Sequence, residues 1–361
     1  MAEWTHDVAV TALAQLSGVG PHRLDLLLRL GPPAETIGRL VRGHRPAPFD
    51  RLDDAASWAA ELSAVDPGRL ADRLAELGVV VSVDGGPGHP GRLIHDVDPA
   101  PVLFRRGRPL DEQRPAVAIV GTRRCSGVGR EVARELGYGL AAEGIVVVSG
   151  LALGIDGAAH AGACAAHGAA PVAFVGGGPD VVYPRRHGDL WCEMLARGTI
   201  ASEAPPGAAP APWRFPARNR LIAAVADLVV VVESRASGGS LLTVDEAIRR
   251  DRPVMAVPGS VRNPAAAGTN ALLADGCAPV VGVDDVVVAL GLGGLSSPTP
   301  VTAPTVPDHL RLVFDSIDDG PTSIDEITVR CAQPVLAVVA AVGELVAGGL
   351  VVDDGARVRR A

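Results

Sequence analysis

The stretch that decides the fold is Ala116-Val117-Ala118-Ile119-Val120-Gly121-Thr122-Arg123-Arg124-Cys125-Ser126-Gly127-Val128-Gly129. Five apolar residues are followed by a loop of small and basic residues and then by a segment with apolar residues at helical spacing. This order predicts a buried strand, a loop and a covering helix. Free amide groups and the dipole at the start of such a helix attract an anion, so the loop favours phosphate binding. The loop does not match the G-x-G-x-x-G dinucleotide pattern, because Gly127 and Gly129 are followed by Val132 in place of the third glycine.

Further apolar, β-branched runs lie on both sides of this stretch, separated by glycines and helical segments. Near-continuous apolar strands that alternate with helices predict an α/β fold with a doubly wound, Rossmann-like, mostly parallel sheet. Ligands of such sheets bind outside the carboxyl ends of the strands. The runs are Val79 to Val83, Ile145 to Ser149, Pro171 to Val175, Leu228 to Val232 and Val254 to Val257.

The chain divides by pattern into four segments. Residues 1–77 have helical spacing and predict a small helical domain, and residues 78–290 hold the Rossmann-like domain. Residues 291–306 contain no charge and many Gly, Ser, Thr and Pro, which is typical of a linker. Residues 307–361 predict three helices and a terminal β-hairpin, the pattern of a winged helix.

Two of these segments raise a question of DNA binding. Ser17 to Pro21 is a Gly-rich turn between two helical stretches, and a helix-hairpin-helix turn of this kind can hold a DNA phosphate. The 307–361 segment holds 5 Arg and 9 acids, and residues 1–80 hold 8 Arg and 11 acids. The acidic balance favours a packing role for the first and a partner-binding or structural role for the second.

Composition excludes several mechanisms. All 33 basic residues of the Lys+Arg total are Arg, so there is no Walker A lysine, no pyridoxal Schiff base and no lysine nucleophile. The five cysteines are far apart and predict neither disulfides nor a thiolate zinc site, and neither a metal nor a cofactor is expected.

No apolar run has the length of a membrane span and no leader is recognised, so a cytoplasmic protein without membrane contact is expected. With a net charge of −8, any anion site must be a local pocket, and we expect it in residues 81–290, where 20 Arg face 21 acids.

Four loops follow strand ends, Gly121 to Gly129, Ser149 to His160, Val175 to Pro184 and Glu233 to Thr243, and the segment Trp213 to Arg220 lies between the last two. Asp156 and His160 lie one helical turn apart, but two ligands do not make a metal site, and a packing or capping role is favoured. Gly176-Gly177-Gly178 lets the backbone approach a ligand. Gly238-Gly239-Ser240 at a helix start forms an amide nest for an anion. Trp213 to Arg220 packs three arginines and two aromatics into eight residues, which suits stacking on bases and contacts with phosphates.

Together these motifs closely resemble the DNA-processing protein A (DprA/Smf) family. The resemblance is dense over residues 80 to 280, and the two flanking segments also resemble appendages of many members. The motifs that carry it are Gly-Thr-Arg-x-x-Ser at 121–126, Ser-Gly-Leu-Ala-x-Gly-Ile-Asp-x-x-Ala-His at 149–160, Tyr183-Pro184, Ser202-Glu203, Phe-Pro-x-Arg-Asn-Arg at 215–220, Gly-Ser-Leu-x-Thr at 239–243 and Val257-Pro258-Gly259.

The resemblance implies a homodimeric protein without enzymatic activity that binds single-stranded DNA, protects incoming DNA and loads RecA recombinase in natural transformation. It implies that Gly121, Thr122 and Arg123 hold a phosphate, that Ser149 and Gly150 line the pocket, and that Arg218 and Arg220 grip the backbone. The remaining residues expected at the DNA are Ser126, Phe215, Asn219, Gly238, Gly239 and Ser240. Trp213 and Arg214 lie outside the family motif and flank it.

Three positions depart from the family pattern. Thr122 stands where Ser is usual and keeps the hydroxyl, whereas Gly238 stands where Ser is usual and removes a side-chain hydrogen bond. Val128 replaces a Tyr.

An enzymatic alternative is a nucleotide-processing protein of the lysine-decarboxylase-like phosphoribohydrolase type, in which Glu246 would be the general base. The Pro-Gly-Gly-x-Gly-Thr-x-x-Glu pattern of those enzymes is not met, because Ser237 and Leu241 replace its Pro and its third Gly.

Overall fold

The protein is described by a computed structural model that covers residues 3–44, 47, 49, 57–292, 306–317, 322–348, 350–353 and 357–360. The chain forms two compact units, Met1–Gly294 and Leu295–Ala361. Most of the predicted 291–306 linker lies outside the described residues. So do Gly320 and Pro321, which precede the second helix of the predicted winged helix.

Five helices open the first unit. Pro21, Pro33 and Pro67 each occupy a first helical position, where the missing amide hydrogen costs nothing. Asp66 caps the fifth helix, since its side chain accepts hydrogen bonds from two backbone amides, and Gly78 ends it in a left-handed conformation. The helices are α1 His6–Gln15, α2 Pro21–Leu28, α3 Pro33–Val41, α4 Trp58–Ala64 and α5 Pro67–Leu77.

The described part of the first unit contains one sheet. Its strands are β1 Val80–Val83, β2 Val102–Gly107, β3 Ala116–Val120, β4 Val146–Ser149, β5 Val172–Phe174, β6 Thr199–Ser202, β7 Leu228–Val231, β8 Val254–Ala256 and β9 Ala278–Pro279. The spatial order is β1-β2-β6-β5-β4-β3-β7-β8-β9. Strands β3 to β9 are parallel, whereas β2 runs antiparallel to β6, and β1 runs antiparallel to β2. The prediction of a doubly wound, mostly parallel sheet is confirmed.

Alternation along β3 shows how the two layers form. Ala116, Ala118 and Val120 face one layer of helices, and Val117 and Ile119 face the other. Because both sides are buried, every second position has to be apolar on each face, which gives the continuous apolar run. The first layer contains α6 Gly91–Ile94, α10 Arg214–Val225, α11 Leu241–Ile248 and α12 Ala267–Ala274. The second contains α7 Gly127–Ala142, α8 Ile155–Ala165, α9 Gly188–Arg197 and α13 Val283–Ala289.

The amino-terminal helices share a core with the antiparallel end of the sheet. Leu13 and Trp58 are buried together with Val102 and Phe104 of β2. The indole Nε1 of Trp58 donates a hydrogen bond to the carbonyl oxygen of Ser17 at 2.9 Å, which fixes the turn between α1 and α2. The helical segment therefore belongs to the same compact unit as the sheet.

The second unit has its own core, which contains Leu310, Ile327, Val338 and Leu345. Its elements are α14 Asp308–Asp315, α15 Ile324–Cys331, α16 Val335–Ala347 and an antiparallel pair, β10 Val351–Asp353 and β11 Val358–Arg360. Helices and a hairpin occur in the predicted order, and the winged-helix assignment stays a prediction. Across the described residues no single helix is long and apolar enough to cross a membrane. Within those residues, only the pair α15 and α16 reaches that length and composition when the two helices are counted together, and the chain bends by 112° between them.

The order of the strands creates a crevice at one edge of the sheet. β3 lies between β4 and β7. The chain leaves β3 towards α7 on one face and leaves β7 towards α11 on the other. The loops after β3 and β7 therefore diverge and leave a space outside the carboxyl ends of the strands, where ligands of doubly wound sheets bind.

Candidate functional site

A cleft of about 840 Å³ occupies this switch point. Most of its lining comes from the loop after β3, the loop after β7 and the first turns of α10, and Ala152, Asp156 and Tyr183 complete it. The structure brings nine of the thirteen predicted residues to it. They are Gly121, Thr122, Arg123, Phe215, Arg218, Asn219, Gly238, Gly239 and Ser240.

The loop after β3 is fixed by its own backbone bonds. The amide of Thr122 donates to the carbonyl oxygen of Glu233 at 2.7 Å, which ties this loop to the end of β7. The Thr122 hydroxyl accepts a hydrogen bond from the amide of Arg124 at 3.2 Å, the local turn that Ser and Thr favour. This arrangement leaves the side chains of Arg123 and Arg124 exposed at the mouth of the cleft.

Phe215 lies against a cation and a second aromatic ring. The guanidinium carbon of Arg123 is 5.0 Å from the centre of the Phe215 ring, a cation–π distance. The Tyr183 and Phe215 ring centres are 5.5 Å apart. Gly176 packs below the ring, since a Cβ atom there would be 3.1 Å from Cδ1 of Phe215. The ring is therefore held in place, and it lines the cleft while remaining half-buried.

Arg218 lies at the base of the cleft and is only 6% exposed. Its Nη1 donates to the carbonyl oxygen of Phe174 at the end of β5. Burial lowers the pKa of Arg218 to about 10, with the nearby Asp156 carboxylate acting in the opposite direction. The guanidinium lies so close to Gly150 that a side chain there would overlap it, and Gly150 lines a smaller pocket beside the cleft.

The Gly238-Gly239-Ser240 loop uses part of its own hydrogen-bonding capacity. The Gly238 amide donates to the carbonyl oxygen of Arg235 at 3.0 Å, and the Ser240 hydroxyl donates to the hydroxyl of Ser234 at 2.9 Å. Gly239 is exposed, and a Cβ atom there would meet no atom within 4 Å. The Gly238 amide of the predicted nest is therefore already hydrogen-bonded within the protein.

Three predicted contacts lie away from the cleft, and each has a structural partner. The Ser126 hydroxyl donates to Glu233 Oε1 at 2.6 Å and caps α7 by accepting from the Gly129 amide at 2.9 Å. The Ser149 hydroxyl is fully buried and donates to the carbonyl oxygen of Ile119 at 2.6 Å. Both hydroxyls therefore have partners within the fold, and their predicted contacts with DNA stay predictions.

Arg220 is the third predicted residue outside the cleft. It extends from α10 towards Glu203 and Asp98, with Nη2 at 2.5 Å from Glu203 Oε1 and Nε at 3.3 Å from Asp98 Oδ2. Burial raises the pKa of Glu203 to about 7, and Arg220 acts against that rise. The positive charge of Arg220 therefore compensates the buried Glu203 carboxylate, and Arg220 does not line the cleft.

Asp156 and His160 do not form the pair that their spacing suggested. Asp156 lines the cleft near Arg218, and burial raises its pKa. His160 is fully buried behind it, where burial lowers its pKa to about 3. Neither ring nitrogen of His160 has a hydrogen-bond partner among the described residues. No group of three or more metal-ligating side chains occurs in the described part of the chain.

The cleft has a strongly positive lining. Among the described residues, Arg123, Arg124, Arg218 and Arg235 line it, and Asp156 is the one acidic residue that does. Residues 81–290 as a whole are almost neutral, so the fold has gathered positive charge at this edge. Sequence reasoning omitted Arg124, Tyr183 and Arg235 as site residues. The available signal was that Arg124 and Arg235 lie in the loops directly after β3 and β7, and Tyr183 in the longer loop after β5.

Glu246, the general base of the enzymatic alternative, is engaged elsewhere. It forms an ion pair with the buried Arg250, whose Nη2 also contacts Asp96 Oδ2 at 2.7 Å. A second ion pair at 3.3 Å joins it to Arg249. Glu246 does not line the cleft.

Comparisons with known proteins point to one family. The sequence pattern of the family described as DNA recombination-mediator protein A matches residues 82–291. A putative DNA processing protein DprA of Mycobacterium tuberculosis is 41% identical over 226 residues, which are 61% of this chain and 58% of that protein. The matched part therefore spans less than two thirds of that relative's length.

Two solved structures share the fold. DNA processing protein A from Streptococcus pneumoniae superposes with a TM-score of 0.65 and 28% identity, over 80% of this chain and 98% of that one. DNA processing protein A from Helicobacter pylori has a TM-score of 0.54 and 27% identity, over 60% of this chain and 97% of that one. The latter structure is described as giving insights into a unique single-stranded DNA binding mode.

Proposed function

The chain belongs to the DNA recombination-mediator protein A family, and we propose that it binds single-stranded DNA in the cleft at the carboxyl end of its sheet. It acts as a binding protein and not as a nucleotide-processing enzyme. The observation that carries the proposal is the cleft's lining of four arginines around one half-buried phenylalanine ring, with a single carboxylate among the described residues.

The lining suits a chain of phosphates. Guanidinium groups donate several hydrogen bonds in a fixed planar fork that matches phosphate oxygens. Arg123 and Arg124 of the loop after β3 and Arg235 of the loop after β7 are all exposed, so a backbone that enters the cleft meets positive charge from two loops. Arg218 adds positive charge from below without being exposed itself.

The aromatic ring favours a single strand over a duplex. Stacking on a side chain requires an unpaired base whose face is accessible, and every base offers such a face. Phe215 is fixed by Arg123, Tyr183 and Gly176, so little conformational freedom is lost when a base stacks on it.

The family resemblance also supports a role in recombination. We propose that the protein is a cytoplasmic homodimer that protects incoming single strands and loads RecA recombinase onto them in natural transformation. Light scattering tests the dimer, and the rate of RecA filament formation on strands coated with a single-strand binding protein tests the loading. A monomer at all concentrations, or an unchanged rate, would remove the corresponding part of the proposal.

A titration tests the binding itself. Fluorescence anisotropy with a labelled oligonucleotide, alone and annealed to its complement, should give tighter binding of the single strand and an affinity that falls as salt rises. Equal affinity for strand and duplex would contradict the proposal. Release of free base from nucleoside monophosphates would support the enzymatic alternative.

A further inference from the structure

A second basic depression adjoins the cleft within the first unit. We call it the hairpin groove. It has a volume of about 1360 Å³ and lies between the α1–α2 turn, α5 and the segment Pro205–Ala208, with Trp213 and Arg214 at one side. Both faces of the groove belong to one compact unit.

The hairpin groove is as one-sided in charge as the cleft. His22, Arg23, Arg69, Arg73 and Arg214 line it, with Asp66 as the acidic member among the described residues. Residues 1–80 are acidic overall, yet three of their eight arginines meet here. Arg73 stays 54% exposed although it pairs with Asp180 at 3.3 Å, and Arg69 is 90% exposed. Such a concentration of cations in an acidic segment matches an anionic partner.

Trp213 gives the groove an aromatic surface. Its side chain is 54% exposed, whereas Trp58 and Trp191 are 1% and 2% exposed. The guanidinium carbon of Arg214 is 5.2 Å from the centre of the indole ring, and the ring edge approaches Gly20 of the α1–α2 turn. An exposed, supported indole beside several cations is the combination that binds unpaired bases and their phosphates.

The hairpin groove and the cleft both border the start of α10, where the neighbouring residues Trp213 and Pro212 line the groove and the cleft respectively. Trp213 precedes the helix and lines the groove, whereas Phe215, two residues later, lines the cleft. A strand that leaves the cleft over the start of α10 therefore passes from one aromatic ring to the next.

From this adjacency, the charge and the exposed indole, we propose that the hairpin groove binds the continuation of the single strand held in the cleft, with Trp213 stacking on a base and Arg69 contacting a phosphate. This inference rests on the proposed function. It assigns the α1–α2 turn, expected from its charge to be packing alone, to the wall of a nucleic-acid groove. It also turns Trp213 and Arg214 from flanking residues into part of the binding surface.

The inference predicts a dependence on strand length. An oligothymidylate of about 6 nucleotides would fit the cleft alone, and one of about 20 would also enter the groove, since single-strand sites span roughly 4–16 nucleotides. The Arg69→Ala/Trp213→Ala double variant should bind the long strand at least about tenfold more weakly, which is ~1.4 kcal/mol. Its affinity for the short strand should stay at the wild-type value. Anisotropy at one fixed salt concentration measures both.

Two matched variants complete the experiment. Arg29→Ala removes another exposed helical arginine of the same segment, one that pairs with Asp25 and does not line the groove, and it should bind both strands like the wild type. Trp213→Phe keeps an aromatic surface and should retain most of the long-strand affinity. Circular dichroism and thermal unfolding of each variant separate a loss of contacts from a loss of folding.

The outcomes are distinguishable. An unchanged long-strand affinity in the folded double variant would overturn the inference, and so would an equal loss for both strands. If wild-type protein binds neither strand, the proposed function itself fails. Selective loss on the long strand, with normal short-strand binding, supports both.

Discussion

The exposed rim and the buried floor of the cleft both contain arginine, but the arginines of the two regions have different roles. The rim consists of Arg123, Arg124 and Arg235, whose side chains are exposed, together with the half-buried Phe215. The floor consists of Asp156 and Arg218, both 6% exposed. The rim arginines have exposed side chains that a ligand can reach, whereas Arg218 is hydrogen-bonded to the end of β5. Substitutions at the rim should therefore change the affinity for DNA, and substitutions at the floor should first change the free energy of unfolding.

The largest effect is expected at the floor. Arg218→Ala leaves the buried Asp156 carboxylate without the favourable charge of Arg218 and removes the hydrogen bond to the Phe174 carbonyl oxygen, and an uncompensated buried charge costs about 3–5 kcal/mol of unfolding free energy. Urea unfolding measures the loss. Adding Asp156→Asn should recover part of it, since the uncompensated carboxylate is then neutral. Wild-type stability in Arg218→Ala would mean that the floor has no structural role.

The second effect separates the floor from the far side of the same helix. Arg220→Ala leaves the buried Glu203 carboxylate without its cation and should cost about 3 kcal/mol of stability. Because Arg220 does not reach the cleft, the folded variant should bind single strands with wild-type affinity. Weakened binding by fully folded protein would return Arg220 to the DNA contact that its motif predicted.

A third prediction concerns pH and the histidine behind the floor. Burial lowers the pKa of His160 to about 3 from 6.5, so the unfolded chain takes up a proton that the folded protein excludes. The contribution of neutral His160 to the free energy of unfolding is complete above pH 6.5 and is lost as pH falls. The loss is ~1.4 kcal/mol per pH unit, or about 2 kcal/mol between pH 7 and pH 5. Urea unfolding at the two pH values should give a smaller difference in His160→Asn than in the wild type. Equal differences would contradict the burial of a neutral imidazole.

The smallest effect in free energy is expected at the rim. Arg123→Ala should lower single-strand affinity by ~1.5 kcal/mol, the scale of a charge-assisted hydrogen bond, and reduce the slope of log affinity against log salt by about 0.7. Its unfolding free energy should stay unchanged. Arg130→Ala, an exposed arginine of α7 that does not line the cleft, is the matched control. If Arg123→Ala lost stability and kept its affinity, the rim would have the structural role that is assigned to the floor.

Sequence patterns predicted much of the first unit because its central strands are apolar on both faces. Each predicted run contains a strand, whereas β2, β6 and β9 gave no such signal. β2 ends in Arg105, Arg106 and Gly107, and β9 is the dipeptide Ala278–Pro279. These strands form through pairing with neighbours, which is a tertiary property that local patterns do not contain.

The site was predictable to the level of loops and not of individual side chains. Strand ends and the family motif brought Arg123, Phe215 and Arg218 together. Within that motif, however, Arg218 and Arg220 look alike, and only the fold shows that Arg220 faces Glu203. Ser126 and Ser149 were hydroxyls near an anion site in sequence, and in space they are a helix cap and a buried hydrogen bond.

Photocrosslinking tests the central claim most directly, because it locates the bound strand. A single strand that carries 5-iodouracil is bound, irradiated and digested with the protein, and the crosslinked peptides are identified by mass spectrometry. The account predicts crosslinks to Phe215 or Tyr183, which line the cleft, and their loss after Arg123→Ala at limiting strand concentration. Crosslinks confined to Phe314 of the second unit, with none on the cleft aromatics, would contradict it.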